Sequence, residues 1–221
     1  MQNRKYCYPL TVTDQMSRSL LTCEALESTK YLPAMTAFEY TFKEYGLPGS
    51  ILTDNGCPFA SQGLLGLSRL SVWWMRLGIK VEHIEPGKPQ QNGQHERMHL
   101  TLKQETTKPP GKNLLQQQEM FDEFKHVFNH IRPHEGIAMQ SPANVYAKSS
   151  RRFPEELPDP GYHDCDFVRK VNSSGRIFFR HRGQYVFLSE VLSEQQVGLT
   201  EEADSVWRIR FMDSDIGFVD E

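Results

Sequence analysis

Four residues in one short stretch, Glu96, Arg97, His99 and Lys103, have side chains that suit the binding of a metal ion beside a phosphodiester. The chain from residue 94 onward consists largely of good helix formers, so we predict a helix there. In a helix the Glu96 carboxylate lies in the first turn, near the positive end of the dipole, and Lys103 lies two turns later on the same face. An exposed amphipathic helix whose charges are merely solvated is the alternative.

A loop precedes this helix, because Pro86, Gly87 and Pro89 are incompatible with helical structure. Asn92 stands at the junction, where its side chain can cap the first helical turn. Lys88 in the loop and Asn92 at its end are further candidates for contact with nucleic acid. The loop and the helix together predict a surface on which a carboxylate lies among several polar and basic groups.

A second carboxylate, Asp54, follows the segment Ser50–Thr53, which we predict to be a short buried strand. Functional sites gather where the strands of an α/β sheet end. Two carboxylates with a third could hold two Mg²⁺ or Mn²⁺ ions, which activate a water or a 3′-hydroxyl for phosphoryl transfer. From the sequence we expect no zinc site of histidines and cysteines. Alternatively, Asp54 simply caps a turn with the Asn55-Gly56 pair that follows it.

Strands and helices alternate over the first 150 residues, which predicts an α/β domain. The predicted strands are 6–13, 20–25, 50–53 and 80–84, and the predicted helices are 29–45, 63–77, 94–105 and 114–131. A proline-containing linker follows at 151–161. Five short strands are then predicted at 167–171, 176–180, 185–188, 196–201 and 206–211. This pattern favours a small β-barrel over 162–221, with hairpin turns at 172–175 and 182–183.

The charge distribution permits DNA binding without requiring it. The net charge is −3, but residues 186–221 hold nine acidic and two basic residues, which leaves +4 for the rest of the chain. The sequence contains no run of about 18 apolar residues and no signal-peptide segment at its N-terminus. Its four cysteines are scattered, as is typical of a reducing cytosol. We therefore predict a cytoplasmic protein that contacts no membrane.

Together these motifs resemble the integrase catalytic core of bacterial insertion-sequence transposases, which are similar to retroviral integrases and have an RNase H-like fold. The resemblance covers residues 6–150. It is carried by Thr53-Asp54-Asn55-Gly56, by Pro89-x-x-Asn92-Gly93-x-x-Glu96-Arg97-x-His99-x-Thr101-Leu102-Lys103, and by Asn129-x-x-Arg132-Pro133-His134-Glu135. The C-terminal barrel resembles the DNA-binding barrels of such enzymes more weakly.

The resemblance implies a DDE polynucleotidyl transferase, which joins transposon ends to target DNA with two Mg²⁺ or Mn²⁺ ions. Asp54 matches the second acidic residue of the family, and Glu96 matches the third. Lys103 matches a lysine that contacts transposon-end DNA, and Arg97 and His99 would lie beside the same DNA. A homo-oligomer assembled on paired DNA ends, in a bacterial cytoplasm, follows from the same resemblance.

One acidic residue of the family has no match in this sequence. The resemblance places it on a central strand ahead of residues 6–13, whereas Asp14 aligns with a turn that the family does not use for metal. We therefore expect an N-terminally truncated core, derived from a shifted start, a frameshift or a decayed copy. The alternatives are a DNA-binding remnant without catalysis and a hydrolytic RNase H-like nuclease, although the motif around Asn92 and Glu96 disfavours a nuclease.

Overall fold

The computed structural model of the chain describes residues 1–54, 56–61, 63, 66–85, 92–179 and 183–220. Its strands and helices are, in chain order, β1 (Tyr8–Thr13), β2 (Leu20–Leu26), α1 (Tyr31–Tyr45), β3 (Ser50–Thr53), α2 (Arg69–Arg76), β4 (Lys80–His83), α3 (Gly93–Thr106), α4 (Leu114–His126), α5 (Pro142–Val145), β5 (Phe167–Lys170), β6 (Arg176–Phe179), β7 (Gln184–Phe187), β8 (Gln196–Ala203), β9 (Val206–Phe211) and β10 (Ser214–Asp220). A π-helical turn, Val127–Ile131, extends α4. Among these described helices, none is long and apolar enough to cross a membrane.

The chain divides into two compact units. The first unit is Met1–Pro48 with Ile84–Phe153, and the second unit is Gly49–His83 with Pro154–Glu221. Each unit is therefore made from two separate segments of the chain. The domains predicted from the sequence, 1–150 and 162–221 with a linker at 151–161, stay a prediction.

The first unit contains the predicted antiparallel hairpin, in which β1 pairs with β2. Asp14 fixes the turn between the two strands, because its Oδ2 accepts hydrogen bonds from the backbone N–H and the hydroxyl of Ser17 at 2.8 and 2.6 Å. Aspartate commonly stabilises turns in this way. Asp14 therefore has a structural role in this hairpin.

The helical layer of the first unit packs on β2. One cluster of buried side chains joins β2, α3, α4 and the π-helical turn: Leu20, Cys23, Ala25, Met98, Leu102, Phe121, Phe124 and Phe128. Burial in this cluster raises the pKa of the Cys23 thiol to about 12, so this cysteine is an inert core residue. Of the large apolar residues on α4 and the π-helical turn, Phe121, Phe124 and Phe128 are buried, whereas Leu115 is 71% exposed.

Two side-chain amides also tie the helical layer to β2. The Asn129 amide accepts from the Leu20 N–H at 2.8 Å and donates to the Leu20 carbonyl at 2.9 Å. The Gln118 amide accepts from the Ala25 N–H at 2.7 Å and donates to the Cys23 carbonyl at 3.0 Å. Among the described strands, β2 pairs with β1 alone. The two amides therefore satisfy backbone groups that an outer strand leaves open.

The second unit begins with β3, α2 and β4, and β3 and β4 pair in parallel. A capping box starts α2, because the side chains of Ser68 and Ser71 each bond the backbone N–H of the other. The predicted helix at 63–77 is therefore shortened at its N-terminal end. A similar correction applies to the helix predicted at 29–45, since α1 begins at Tyr31 and Lys30 is its N-cap residue.

The remainder of the second unit is a four-stranded antiparallel sheet in the order β10-β9-β8-β5 and a separate β6–β7 hairpin. The predicted barrel is therefore not closed within the described residues. The hairpin predicted around 172–175 is wrong, because β5 pairs with β8 and β6 pairs with β7. The chain does turn at 172–175, but the turn leads from one sheet to the other. The predicted turn at 182–183 lies partly outside the described residues, and β10 is a sixth strand that the sequence did not suggest.

An apolar cluster in the second unit joins the segment around α2 to the later strands. Leu67 and Val72, from the segment around α2, are buried together with side chains of the later strands: Val171, Ile177, Phe179, Leu192, Val197, Leu199, Trp207, Ile209, Phe211 and Ile216. Trp73 and Trp74 are also buried, at 7% and 0% exposure.

Candidate metal and nucleic-acid site

Helix α3 presents the predicted charged residues on its exposed face. Glu96 lies in its first turn and Lys103 in its last, as predicted. Both side chains are exposed, as is Arg97 between them. The opposite face is buried through three residues, Met98, Leu102 and Thr106. The packing of α3 in the first unit therefore fixes which residues face solvent. The negative Glu96 lies near the positive N-terminal end of the helix dipole, and the positive Lys103 lies near its negative C-terminal end. Both charges are therefore favourably placed on the helix.

The residues around the start of α3 are only partly described. Asn92 is the N-cap residue of α3, but its side chain makes no capping hydrogen bond, contrary to the sequence-based expectation. Lys88 lies outside the described residues. Their predicted contacts with DNA stay predictions.

Asp54 directly follows β3, as the sequence predicted, and the structure shows its side chain to be exposed. Its Oδ1 accepts a hydrogen bond from the Gly56 N–H at 3.0 Å, so the turn-capping interpretation of this residue holds. Beside it, the Thr53 hydroxyl and Nδ1 of His83 are 3.2 Å apart, a side-chain contact between β3 and β4. The bond to Gly56 orients the Asp54 carboxylate, and a metal-binding role for that carboxylate stays a prediction.

The two predicted carboxylates belong to different units: Asp54 to the second and Glu96 to the first. The structure thus groups Glu96 with Arg97, His99 and Lys103 on one helix, and groups Asp54 with the turn after β3. Within the described part of the chain, no cluster of three or more His, Cys, Asp or Glu side chains is placed to hold a metal ion.

Arg132 links the end of the π-helical turn to α3. Its guanidinium donates to Oε1 of Glu105 at 2.7 Å and lies over the rings of Phe124 and Phe128. The His134 ring packs edge-on against Phe128, and burial lowers the pKa of this histidine. Arg132 thus contacts α3, whereas Asn129 of the same motif contacts β2.

A group of four side chains that the sequence interpretation did not single out lies where α3 crosses β1. We call it the His–Thr cluster: Thr11 and Thr13 of β1, and His95 and His99 of α3. The Thr11 hydroxyl lies 3.1 Å from Nε2 of His95 and 2.7 Å from Nε2 of His99, and these two nitrogens are 3.1 Å apart. The Thr13 hydroxyl lies 3.1 Å from Nδ1 of His95. The four-residue spacing of the histidines is the sequence signal that could have indicated such a pair.

Comparison with known proteins assigns the fold of the chain. Residues 77–142 match the integrase core domain family. This segment contains α3 and α4, and therefore Glu96 and Lys103. It does not contain Asp54.

Two curated relatives are retroviral polyproteins. The Gag-Pol polyprotein of baboon endogenous virus (strain M7) is 35% identical over 103 residues, which cover 47% of this chain and 6% of that protein. The Pol polyprotein of feline endogenous virus ECE1 is also 35% identical over 103 residues, which cover 47% of this chain and 9% of that protein. The chain thus spans less than a tenth of the length of these relatives.

Two solved structures share the fold. The HTLV-2 integrase catalytic core domain in complex with magnesium, in its trimeric form, superposes with a TM-score of 0.51 at 17% identity, over 66% of this chain and 90% of that one. The simian T-cell lymphotropic virus intasome in complex with PP2A regulatory subunit B56 gamma superposes with a TM-score of 0.51 at 15% identity. The superposition covers 96% of this chain and 77% of that one. The chain therefore has the integrase catalytic core fold, which is RNase H-like, with an additional β-sheet region. The predicted fold class is confirmed.

Proposed function

We propose that this chain carries the catalytic core of a DNA-integrating enzyme, which joins the ends of a mobile element to target DNA by metal-dependent polynucleotidyl transfer. The observation that carries the proposal is the match of residues 77–142 to the integrase core domain, together with the exposed face of α3 in that segment. That face presents the carboxylate and the cations that phosphodiester chemistry needs. Since the curated relatives are far longer than the chain, the activity of a whole protein is part of this proposal.

Asp54 and Glu96 are the residues proposed to hold Mg²⁺ or Mn²⁺. Both carboxylates are exposed, and their hard oxygen atoms are the ligands that these ions prefer. When bound, two such ions supply activation of the attacking hydroxyl and stabilisation of the leaving oxygen. The contribution of the chain is to hold the two carboxylates in fixed orientations, through the turn at Gly56 and through the buried face of α3.

The proposed DNA contacts lie along and around α3. Arg97 and Lys103 are exposed cations that would bind backbone phosphates and so position the DNA without reading its sequence. Asn92, His99 and Lys88 complete the proposed set, although Nε2 of His99 contacts the Thr11 hydroxyl in this structure. Binding of this kind weakens steeply as salt rises, since it releases counterions from the DNA.

A strand-transfer assay with Mg²⁺ and labelled element-end DNA tests the proposal. The resemblance places a further acidic residue on a strand ahead of β1, so the assay uses the chain itself and a chimera that is preceded by that strand from a related integrase core. Replacing Glu96→Gln should abolish joined products and preserve DNA binding. The control is Glu123→Gln, an exposed glutamate of α4, which should retain full joining. Joining by the Glu96→Gln chimera at the level of its parent would refute the metal assignment.

The same assay separates the alternatives. Salt-sensitive DNA binding without any Mg²⁺-dependent product would identify a non-catalytic DNA-binding remnant. Nicked DNA without joined products would identify an RNase H-like nuclease.

For DNA binding itself, Lys103→Ala should weaken binding equally on all sequences and lower the salt slope by about one. Lys112→Ala, which removes one exposed cation elsewhere in the first unit, should leave both unchanged.

The origin and assembly of the protein are proposals of the same kind. The sequence motifs resemble bacterial insertion-sequence transposases, and we infer an enzyme of a bacterial cytoplasm that acts as a homo-oligomer on paired element ends. Terminal inverted repeats on both sides of the coding sequence, in bacterial DNA, would support this origin. Light scattering with and without element-end DNA would measure whether more than one copy assembles on it.

A further inference from the structure

The His–Thr cluster brings one hydroxyl oxygen and two imidazole nitrogens close together. Three atoms, the Thr11 Oγ1 and the Nε2 atoms of His95 and His99, form a triangle with sides of 3.1, 2.7 and 3.1 Å. Each side of the triangle is short enough for a hydrogen bond, and each hydrogen bond needs one hydrogen and one acceptor.

Three hydrogen bonds among these atoms would need a shared hydrogen. The Thr11 hydroxyl supplies one hydrogen, and a neutral imidazole carries one N–H on one of its two nitrogens. If one Nε2 is protonated, two hydrogens serve three contacts. If both are protonated, the contact between the nitrogens has no acceptor. Hydrogen bonds therefore span all three contacts only if one N–H is shared between two acceptors.

A metal ion above the triangle would use all three atoms as lone-pair donors. Zinc binds histidine nitrogen at about 2.0–2.1 Å, so two such nitrogens on one ion are roughly 3.0–3.4 Å apart. The observed Nε2–Nε2 distance is 3.1 Å. Two histidines separated by four residues on one helix face are also an established way for a helix to bind zinc. The cluster therefore has the spacing of a chelating pair without any rearrangement of α3.

Thr13 supplies the support that metal-binding histidines usually have. Its hydroxyl lies 3.1 Å from Nδ1 of His95, so an N–H on Nδ1 can donate to it and leave the Nε2 lone pair directed at the ion. Such outer contacts fix the tautomer and the orientation of the ring. Thr11 and Thr13 occupy alternate positions of β1 and so point to the same side of the strand. All four side chains are half-buried and belong to the first unit.

We propose that the His–Thr cluster binds a transition-metal dication such as Zn²⁺, through His95, His99 and the Thr11 hydroxyl, with Thr13 as a positioning residue. The fourth position of a tetrahedral ion is then open to water. Nitrogen ligands favour Zn²⁺, Ni²⁺ or Cu²⁺ over Mg²⁺, so this ion differs from the Mg²⁺ of the proposed function. Neither Asp54 nor Glu96 is a ligand of this site, which has only His99 in common with the residues proposed to contact DNA and does not depend on that function.

Calorimetric titration of the full chain with ZnCl₂, in excess Mg²⁺, tests the site. His95→Gln and His99→Gln should each lower the Zn²⁺ affinity about tenfold or more, and Thr13→Val should lower it by roughly tenfold, as the loss of an outer contact does. Glu96→Gln should retain full binding. The matched control is His126→Gln, because His126 and His130 are also four residues apart, with ring centroids separated by 5.0 Å, and both are exposed.

Two spectroscopic measurements on the unmodified chain keep the test decisive if a histidine variant fails to fold. Zn²⁺ should shift the ring NMR signals of two of the eight histidines, those of His95 and His99. Co²⁺ bound in place of Zn²⁺ should show d–d bands without a thiolate charge-transfer band. Shifts at His126 and His130 instead, a thiolate band from the cysteines, or unchanged affinity in the His95→Gln and His99→Gln proteins would each overturn the proposal.

Discussion

The amide of Asn129 shows how a single side chain can hold a strand in the first unit. It satisfies both backbone groups of Leu20, a residue that is fully buried. Replacing Asn129→Ala leaves a buried N–H and a buried carbonyl without this partner. We expect a loss of about 1–3 kcal/mol in the free energy of unfolding of the first unit. Asn144→Ala, at an exposed asparagine of the same unit, should change it by less than about 0.5 kcal/mol.

Hydrogen exchange of the β2 amides is the measurement for this pair of variants, because all three tryptophans lie in the second unit and their fluorescence does not report on the first. Equal exchange rates in the two variants would show that the Asn129 contacts contribute little stability.

His134 makes the stability of the first unit depend on pH. Burial against Phe128 lowers its pKa below the usual value of 6.5, so the unfolded chain binds a proton more readily than the folded chain does. The resulting stabilisation is complete above pH 6.5 and is lost as the pH falls through the lower pKa of the folded state. His134→Gln should therefore flatten the decline in stability between pH 7 and pH 5.

Unfolding of both proteins by denaturant at a series of pH values would test this expectation. The control is His163→Gln, at an exposed histidine, which should keep the wild-type decline. The role assigned to His134 is wrong if His134→Gln loses stability with falling pH as steeply as the wild type.

At the scale of elements, the turn that carries the chain from β5 to β6 requires glycine. Gly175 has a φ of +73°, and an added Cβ would lie 2.5 Å from the carbonyl carbon of Ser189. Gly183, between β6 and β7, has a similar φ of +60°, but its Cβ would meet no atom within 4 Å. Alanine at either position pays about 1–2 kcal/mol for the left-handed conformation. Only alanine at position 175 also collides with backbone.

We therefore expect Gly175→Ala to destabilise the second unit by at least about 1 kcal/mol more than Gly183→Ala does. Urea unfolding followed by tryptophan fluorescence measures this difference directly, because the three tryptophans lie in that unit. Equal destabilisation by the two substitutions would mean that the segment around Ser189 moves to accept the methyl group.

The elements that local sequence determines are those that could be predicted. α3 follows from a run of helix formers, so the position of Glu96 in its first turn could be foreseen. β10 could not, because Asp215, Gly217 and Asp220 are poor strand formers and the strand exists through its pairing with β9. The contact of Thr11 with His99 joins residues far apart in sequence, and only the packing of α3 beside β1 reveals it.

At the scale of the whole molecule, the second unit depends on contacts between its two chain segments. Leu67 and Val72 are 7% and 4% exposed, and they share their cluster with strands that lie beyond Pro154. The Arg76 guanidinium donates to Oε1 of Gln195 and to the carbonyl of Pro158, both at 2.8 Å. α2 is thus held by residues that the sequence-based division would assign to another domain.

A chain that ends at Phe153 should therefore lose the order of α2. Exposing Leu67 and Val72 costs about 1.5–3 kcal/mol for each side chain, which corresponds to a roughly hundredfold or greater loss of hydrogen-exchange protection. The amides of α4, in the first unit, should keep the protection that they have in the full chain. If α2 stays protected in the shortened chain, residues 1–150 fold as one domain, and the sequence-based boundary describes the molecule better than its two compact units do.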